Sequence, residues 1–372
     1  METKRCAACG SPMRRNGRTN AGRQRWRCAS CGASSSHRHD NEAKRLAEFV
    51  GWLLSKDTQS AMPGQGRTFR RRTSAFWSIW PMPEAVDEVH RVVFVDGIWI
   101  ARDAVVLIAC SERHVLSWHL ARSETSAAWR ALLSRVAPPD MVVTDGGSGF
   151  AKAVRAEWPR TRVQRCVFHA FCQVRRYTTS RPKLQAGMEL YALARELLAV
   201  GTLRQAEWWV ERFLGWCGFW SDFLDETSVV DGRRTFTHER LRRARGSLAR
   251  LVSDGTLFTH LDPALCAEGP MPATNNRIEG GVNAQLREML RNHRGLTLLR
   301  RVKAVFWWCY THVECPKTMA ETLREMPTDA DIELLREEYG MRTEDIGAPR
   351  KWGDGIAWEE LHVATRYPDS VY

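Results

Sequence analysis

No stretch of this 372-residue chain comes near a membrane span, which needs roughly 20 uninterrupted apolar residues. The opening METKRCAACG has no apolar h-region, so no signal peptide is expected. Cysteine is present eleven times, yet Cys110, Cys166, Cys172, Cys217, Cys266, Cys309 and Cys315 show no disulfide framework. That argues against a disulfide-stapled secreted class and for a reducing cytosol. Acid is scarce at the front: residues 1–80 hold 16 Lys and Arg against 5 Asp and Glu. Residues 320–372 reverse the balance, with 6 basic against 13 acidic. A net charge of +12 distributed this way implies a polyanion partner and a tail turned away from it. The expected location is the cytoplasm, in association with the nucleoid. The length accommodates two or three domains.

The front of the chain carries Cys6-x₂-Cys9 and Cys28-x₂-Cys31, each pair followed directly by Gly. Four thiolates in two tight knuckles suit tetrahedral Zn²⁺, so a zinc ribbon is expected over residues 1–40. Between and beside the knuckles stand Arg14, Arg15, Arg18, Arg23, Arg25 and Arg27 with Trp26, a density of guanidinium suited to phosphate contact. Asn41 can cap a helix over EAKRLAEFVGWLL, whose Leu46, Phe49, Val50, Leu53 and Leu54 share one face. After a short second helix and the turn Pro63–Gly64–Gln65–Gly66, RTFRRRTSAFWSIW puts Arg67, Arg70, Arg71 and Arg72 near a helix start. This is the layout of a helix-turn-helix over residues 41–82, and Pro81 and Pro83 close it.

From Val89 the hydrophobic period changes. HRVVFVDGIWI, DAVVLIAC and HVLSWHLA read as three antiparallel strands. SETSAAWRALLSRV follows as a helix with Ser123 as its expected cap, MVVTD as a buried strand, GFAKAVRAEW as a helix, and TRVQRCVFH as a fifth strand. Asp96 and Asp145 each close a β-branched run and precede Gly, which places both carboxylates at strand ends. A third acid, Glu279 in TNNRIEGGVNAQL, opens a helix-like stretch. Hard oxygen ligands from two strand ends and a late helix are what Mg²⁺-dependent phosphoryl transfer requires. Asp262 and Glu268 lack that helix context. The predicted fold class is α/β, an RNase H-like core in two parts, 85–175 and 273–315.

Between the parts, residues 176–272 show helical periodicity and predict an all-helical insertion. Its Trp208, Trp209, Trp216 and Trp220 fall at helical spacing, which favours core packing over base stacking. HERLRRARGSLARL adds a basic helix. Beyond Glu279, Arg287, Arg291, His293, Arg294, Arg300 and Arg301 form a basic run suited to a DNA backbone. The acidic tail, 316–372, offers one amphipathic helix in MPTDADIELLREEYGM and an irregular segment after it.

The pieces VDG at Asp96, TDGGSGF at Asp145, RCVFH with Cys166-x₂-His169, and NNRIEGGVNAQLREMLRNHRGL around Glu279 resemble Mutator-like bacterial insertion-sequence transposases of the DDE class. The resemblance covers roughly residues 85–315. It implies Asp96, Asp145 and Glu279 as ligands of Mg²⁺ or Mn²⁺ in a two-ion arrangement, with His169 touching DNA or supporting the acids. By that resemblance Asn276 and Asn283 orient Glu279 or touch a phosphate, and Cys166 is structural. The implied activity is cleavage of element ends and strand transfer on double-stranded DNA, by a homodimer or higher homo-oligomer. Two other readings share the same residues: a DNA-binding regulator with an inactive core, and an RNase H-like nuclease or resolvase that joins no strands.

Overall fold

The computed structural model describes residues 4–6, 9–36 and 41–341. The irregular segment expected after the tail helix lies outside the described residues.

The first unit is a three-stranded antiparallel sheet, β1 (Met13–Arg18), β2 (Gln24–Cys28) and β3 (Ser34–Ser36), in sequential order. Its interior is small: Cys6, Met13 and Cys28, with Trp26 and Ala33 packed against them. Two helices follow, α1 (Glu42–Leu54) and the seven-residue α2 (Arg67–Thr73), joined through a short 3₁₀ turn at Gln59–Ala61. Asn41 occupies the cap position of α1 but its side chain makes no capping bond. Arg67 opens α2 as expected, but Arg70, Arg71 and Arg72 already lie in its last turn, because the helix ends at Thr73.

The central sheet has five strands: β4 (Val92–Ile100), β5 (Ala104–Cys110), β6 (Val115–Ala121), β7 (Met141–Thr144) and β8 (Arg162–Arg165). Their spatial order is β6-β5-β4-β7-β8. β4, β5 and β6 form an antiparallel meander, whereas β4, β7 and β8 run parallel. The parallel steps cross over through α3 (Ser126–Leu133) and α4 (Ser148–Glu157), as connections between parallel strands require. Thr125, rather than Ser123, caps α3: its Oγ1 accepts from the Ala128 N–H at 3.1 Å. The expected fifth strand stops at Arg165, and Val167 opens the helix α5 (Val167–Thr178). Cys166 and His169 therefore stand at a strand-to-helix junction and not within a strand.

Alternation along the strands divides the core into two faces. Val93, Val95, Val105, Leu107 and Val142 pack with α3 and α4. Phe94, Ile98, Ile108, Trp118, Met141 and Val143 face the other way, into a cluster with α1, α2 and α11 (Leu298–Thr311). Phe49 of α1 meets Trp307 of α11 with ring centroids 6.3 Å apart. The N-terminal helix pair thus shares one hydrophobic core with the sheet.

After α5 the chain forms α6 (Gln185–Glu196), α7 (Leu203–Phe219), α8 (Ser221–Asp225), β9 (Thr227–Val230), β10 (Arg233–Phe236) and α9 (Glu239–Ser253). The insertion is not all-helical: β9 and β10 pair antiparallel across the turn Asp231–Gly232. Both turn residues have positive φ, the backbone of a two-residue hairpin for which Asp-Gly is suited. Helix periodicity on either side obscures so short a hairpin in the sequence. A separate core, with Phe171, Leu190, Trp209, Phe213 and Leu248, holds these elements to α5. Trp209 and Trp216 are buried, whereas Trp208 is 57% exposed and stacks under Arg212 at 4.4 Å.

The insertion returns along the edge of β8. The Arg165 N–H donates to the Thr256 carbonyl at 2.8 Å, and the buried Gln164 donates to the Leu257 carbonyl at 2.9 Å. The chain then enters a π-helical segment, Arg277–Asn283, followed by α10 (Ala284–Asn292), α11, α12 (Met319–Glu325) and α13 (Asp329–Met341).

Candidate active site

Asp96 lies in the middle of β4 rather than at its end. The parallel ladder with β7 stops at Phe94↔Val143, so continuing that register sets Asp96 beside Asp145, just where β7 ends. Period-two alternation puts Asp96 with Phe94 and Ile98, and Asp145 with Met141 and Val143, on one face of the sheet. The π-helical segment packs on that same face through Ile278 and Val282.

Asp96 is held at both oxygens. Its Oδ1 accepts from the Gly97 N–H at 2.8 Å and its Oδ2 from the Asn283 side-chain amide at 2.7 Å. Burial first, then the charge of Asp145, raises its pKa to about 7, with Glu279 and Glu124 adding to the effect. Asp145 is also raised by burial and by Glu279, while His169 and Arg165 pull the other way. Two buried carboxylates, both raised by burial and by the charge of Glu279, form a site with too much negative charge for its surroundings. That is the electrostatic state in which a divalent cation binds with most effect.

Glu279 reaches this cluster because Asn275 anchors its segment. The fully buried Asn275 donates its side-chain amide to the Val95 carbonyl at 3.0 Å, and its backbone N–H to Cys166 Sγ at 3.3 Å. Glu279 Oε1 lies 3.1 Å from His169 Nδ1, close enough for an ion pair although not aligned as a hydrogen bond. The His169 pKa is raised, first by Cys166 and then by Glu279, so the ring carries a proton beside the carboxylate. Ligand atoms of Cys166, His169 and Glu279 all lie within 4.8 Å of one another. The Cys166–His169 pair therefore has a third donor in reach, which the sequence spacing does not reveal. A hundred intervening residues hide it.

Sequence reasoning also misses Glu124. It follows β6, and its Oε1 accepts from Trp99 Nε1 at 3.0 Å. A Cβ on Gly97 would stand 2.9 Å from that oxygen, so the bare glycine beside Asp96 is what admits a fourth carboxylate. Burial raises its pKa, and Asp145 raises it further. The rivals for the third acid stand elsewhere: Asp262 pairs with Arg162 at 2.9 Å and Glu268 with Arg91 at 3.6 Å.

At the front of the chain, Cys6, Cys9, Cys28 and Cys31 converge. Sulfur–sulfur separations are 3.5 Å for Cys6–Cys31, 3.5 Å for Cys9–Cys28 and 3.4 Å for Cys9–Cys31. Tetrahedral Zn–S bonds of about 2.3 Å set sulfurs about 3.8 Å apart, so this group could hold zinc with little movement. Hydrogen bonds with Ser11 lower the Cys9 pKa, while the shared thiol contacts that lower it further push Cys31 upward, so the crowded thiols do not all ionise without a cation.

Arg14, Arg15, Arg18, Arg23, Arg25 and Arg27 are all exposed on β1, β2 and their turn. Arg14 pairs directly across from Arg27. Arg67, Arg70, Arg71 and Arg72 are exposed on α2, and Arg287, Arg291 and Arg294 on or just after α10. Arg72 lies 3.8 Å from Glu48, and Arg294 Nε donates to the Arg291 carbonyl at 3.2 Å.

Residues 71–212 match the protein-family model described as Transposase, Mutator family, which bears out the resemblance over that segment. The match includes Asp96, Asp145, Cys166 and His169 and stops before Glu279. No curated protein matches the chain. Among the described residues no helix is long and apolar enough to cross a membrane.

Proposed function

We propose, from the match of residues 71–212 to the Mutator-family transposase model, that this chain is a DDE transposase: it binds element ends, cuts them and transfers the strands. The observation that carries the reading is the convergence of Asp96, Asp145 and Glu279 on one face of the sheet, Asp96 registering the charge of Asp145 and Glu279, and Asp145 that of Glu279. The order of three antiparallel strands, helix, strand, helix and strand supports an RNase H-like core, with its last acid delivered after the insertion.

The donor set fits a divalent cation of the magnesium class. It offers carboxylate oxygens, and the Oε1 of Glu279 and the Oδ1 of Asn283 are buried with no hydrogen-bond partner. Asp96, Asp145 and Glu279 would hold the ions, whose bound chemistry is to activate an attacking oxygen and stabilise a leaving one. The protein's own residues do the positioning. Asn283 and the Gly97 N–H fix Asp96, Asn275 ties the Glu279 segment to β4, and His169 holds Glu279 beside Asp145.

The arginines give the reading its substrate. Like charges directly opposite in a sheet, as at Arg14 and Arg27, repel; an external polyanion relieves that repulsion. We assign residues 1–40 to a zinc ribbon, 41–82 to a helix-turn-helix and 176–272 to the insertion. The core is 85–175 with 273–315, and an acidic tail runs over 316–372. The contacting set is the arginines of the ribbon, α2 and the α10 region. Two ends must be held together for transposition, so the working form is at least a dimer.

The test uses purified protein, Mg²⁺ or Mn²⁺, and duplex DNA carrying the element's terminal sequences. Wild type is expected to cut and join. Asp96→Asn, Asp145→Asn and Glu279→Gln should each lose both steps while retaining end binding. Cutting without joining would make the chain a nuclease, and wild-type cutting by Asp145→Asn would remove the metal-site assignment.

A further inference from the structure

Arg165 ends β8, opposite Thr144 in the parallel register. Its guanidinium lies against the turn after Asp145 so closely that a Cβ on Gly146 would stand 1.3 Å from Nη1 and 1.8 Å from Cζ. Gly146, at φ +90°, is thus required twice: by its backbone and by the arginine on top of it. The next residue, Gly147, has open space around it, and the helix α4 that it precedes has no side-chain cap.

A guanidinium carries five N–H donors. Among the described residues no hydrogen bond or ion pair engages any of those on Arg165, and its Nε is buried without a partner. Burial lowers its pKa and the charge of Asp145 raises it, so the two groups sense each other without touching. A desolvated cation without a hydrogen-bonded partner is costly in a folded protein. A donor fork with no acceptor, beside the acids, is explained by an acceptor that arrives with the substrate. Planar, bidentate donors match phosphate oxygens.

We propose that Arg165 is a phosphate-binding residue of the site: its guanidinium, held over Gly146, takes a non-bridging oxygen of the DNA phosphodiester presented to Asp96 and Asp145. This rests on the transposase reading and adds to it a contact that the three acids do not supply. Arg165 neutralises charge on the phosphate that the carboxylates alone would repel.

The experiment crosses protein and substrate changes. Duplexes carry a single neutral methylphosphonate at the scissile phosphate or at one of its immediate neighbours. Wild type, Arg165→Lys and Arg165→Met are compared in single-turnover cleavage with Mn²⁺ and in equilibrium binding with Ca²⁺. Arg165→Met should lose cleavage on the order of a hundredfold or more, with Arg165→Lys between it and wild type. At the contacted phosphate, the methylphosphonate should weaken wild type severely and Arg165→Met little further. Coupling at the scissile position or at a neighbour identifies which phosphate is held. Equal penalties for all three proteins at every position, in cleavage and in binding, would overturn the proposal. Wild type that binds but never cuts would sink the transposase reading, while the binding arm still decides on Arg165.

Discussion

Asn283 donates to Asp96 Oδ2 at 2.7 Å across 187 residues of sequence. With the Gly97 N–H on the other oxygen, the carboxylate is fixed between its own strand and the segment that delivers Glu279. Asn283 is fully buried, and its contact ties the late acid to the early one.

Replacing Asn283 by Ala should therefore release Asp96 and loosen the Glu279 segment together. The expected stability cost is about 1–3 kcal/mol, the range for a buried polar pair broken on one side. Cleavage should fall by roughly 10–100-fold and need more Mg²⁺ to saturate, with DNA affinity unchanged. Asn283→Asp should be worse, since it sets another carboxylate against Asp96. A metal titration of cleavage rate checks both; an unchanged half-saturation in Asn283→Ala refutes the anchoring role.

His169 stands 3.1 Å from Glu279, and the two share a charge pair at the junction of β8 and α5. Removing the ring in His169→Ala leaves Glu279 free to swing away. The expected loss in cleavage is again about 10–100-fold, and raising Mn²⁺ should recover part of it. His169→Gln, which retains a donor, should lie between Ala and wild type. Ala and Gln variants of equal, wild-type rate would show that the pair is structural only.

Much of this site is legible in the amino-acid sequence alone. The β-branched runs at Asp96 and Asp145 are strong signals because buried parallel strands leave few other patterns, and the helices around them follow in the order read. Glu279 is marked by its neighbours and by resemblance; what brings it home is the run of bonds from β8 to Thr256 and Leu257, which no local pattern encodes. Glu124 is invisible for a different reason: it sits in a loop, and only the missing side chain at Gly97 explains its place. The hairpin at Asp231–Gly232 escapes notice because four-residue strands between long helices carry too few alternations to register.

His293 supplies a pH dependence. It is buried, its Nε2 donates to the Leu53 carbonyl at 2.9 Å, and its ring lies 4.6 Å from that of Trp52. Burial lowers its pKa below 6.5, against the opposing pull of the Leu53 and Ser55 carbonyls. The unfolded chain therefore takes up the proton first, and the stability this histidine contributes is present above its unfolded pKa and lost as pH falls below it. Thermal melts from about pH 7.5 to about pH 5.5 should show a steeper decline for wild type than for His293→Gln, which keeps a donor but does not titrate. Parallel declines for the two proteins would remove His293 as the cause.

Zinc removal should separate the front of the chain from the rest. The interior of the β1–β3 unit is little more than Cys6, Met13 and Cys28, far too small a core to fold without a staple. By contrast, Phe49 and Trp52 of α1 pack into the large core with α11, which owes nothing to the thiolates. The purified protein should carry about one zinc per chain, released on chelation with loss of the ribbon's strand pairing. The main thermal transition should stay in place. DNA affinity should fall, together with its dependence on salt, because Arg14, Arg15, Arg25 and Arg27 are displayed on those strands. Cys28→Ser, removing the most buried ligand, should reproduce the chelated state. A protein that binds no zinc, or a Cys28→Ser variant with wild-type zinc content and DNA affinity, would dismiss the ribbon as the DNA-holding unit.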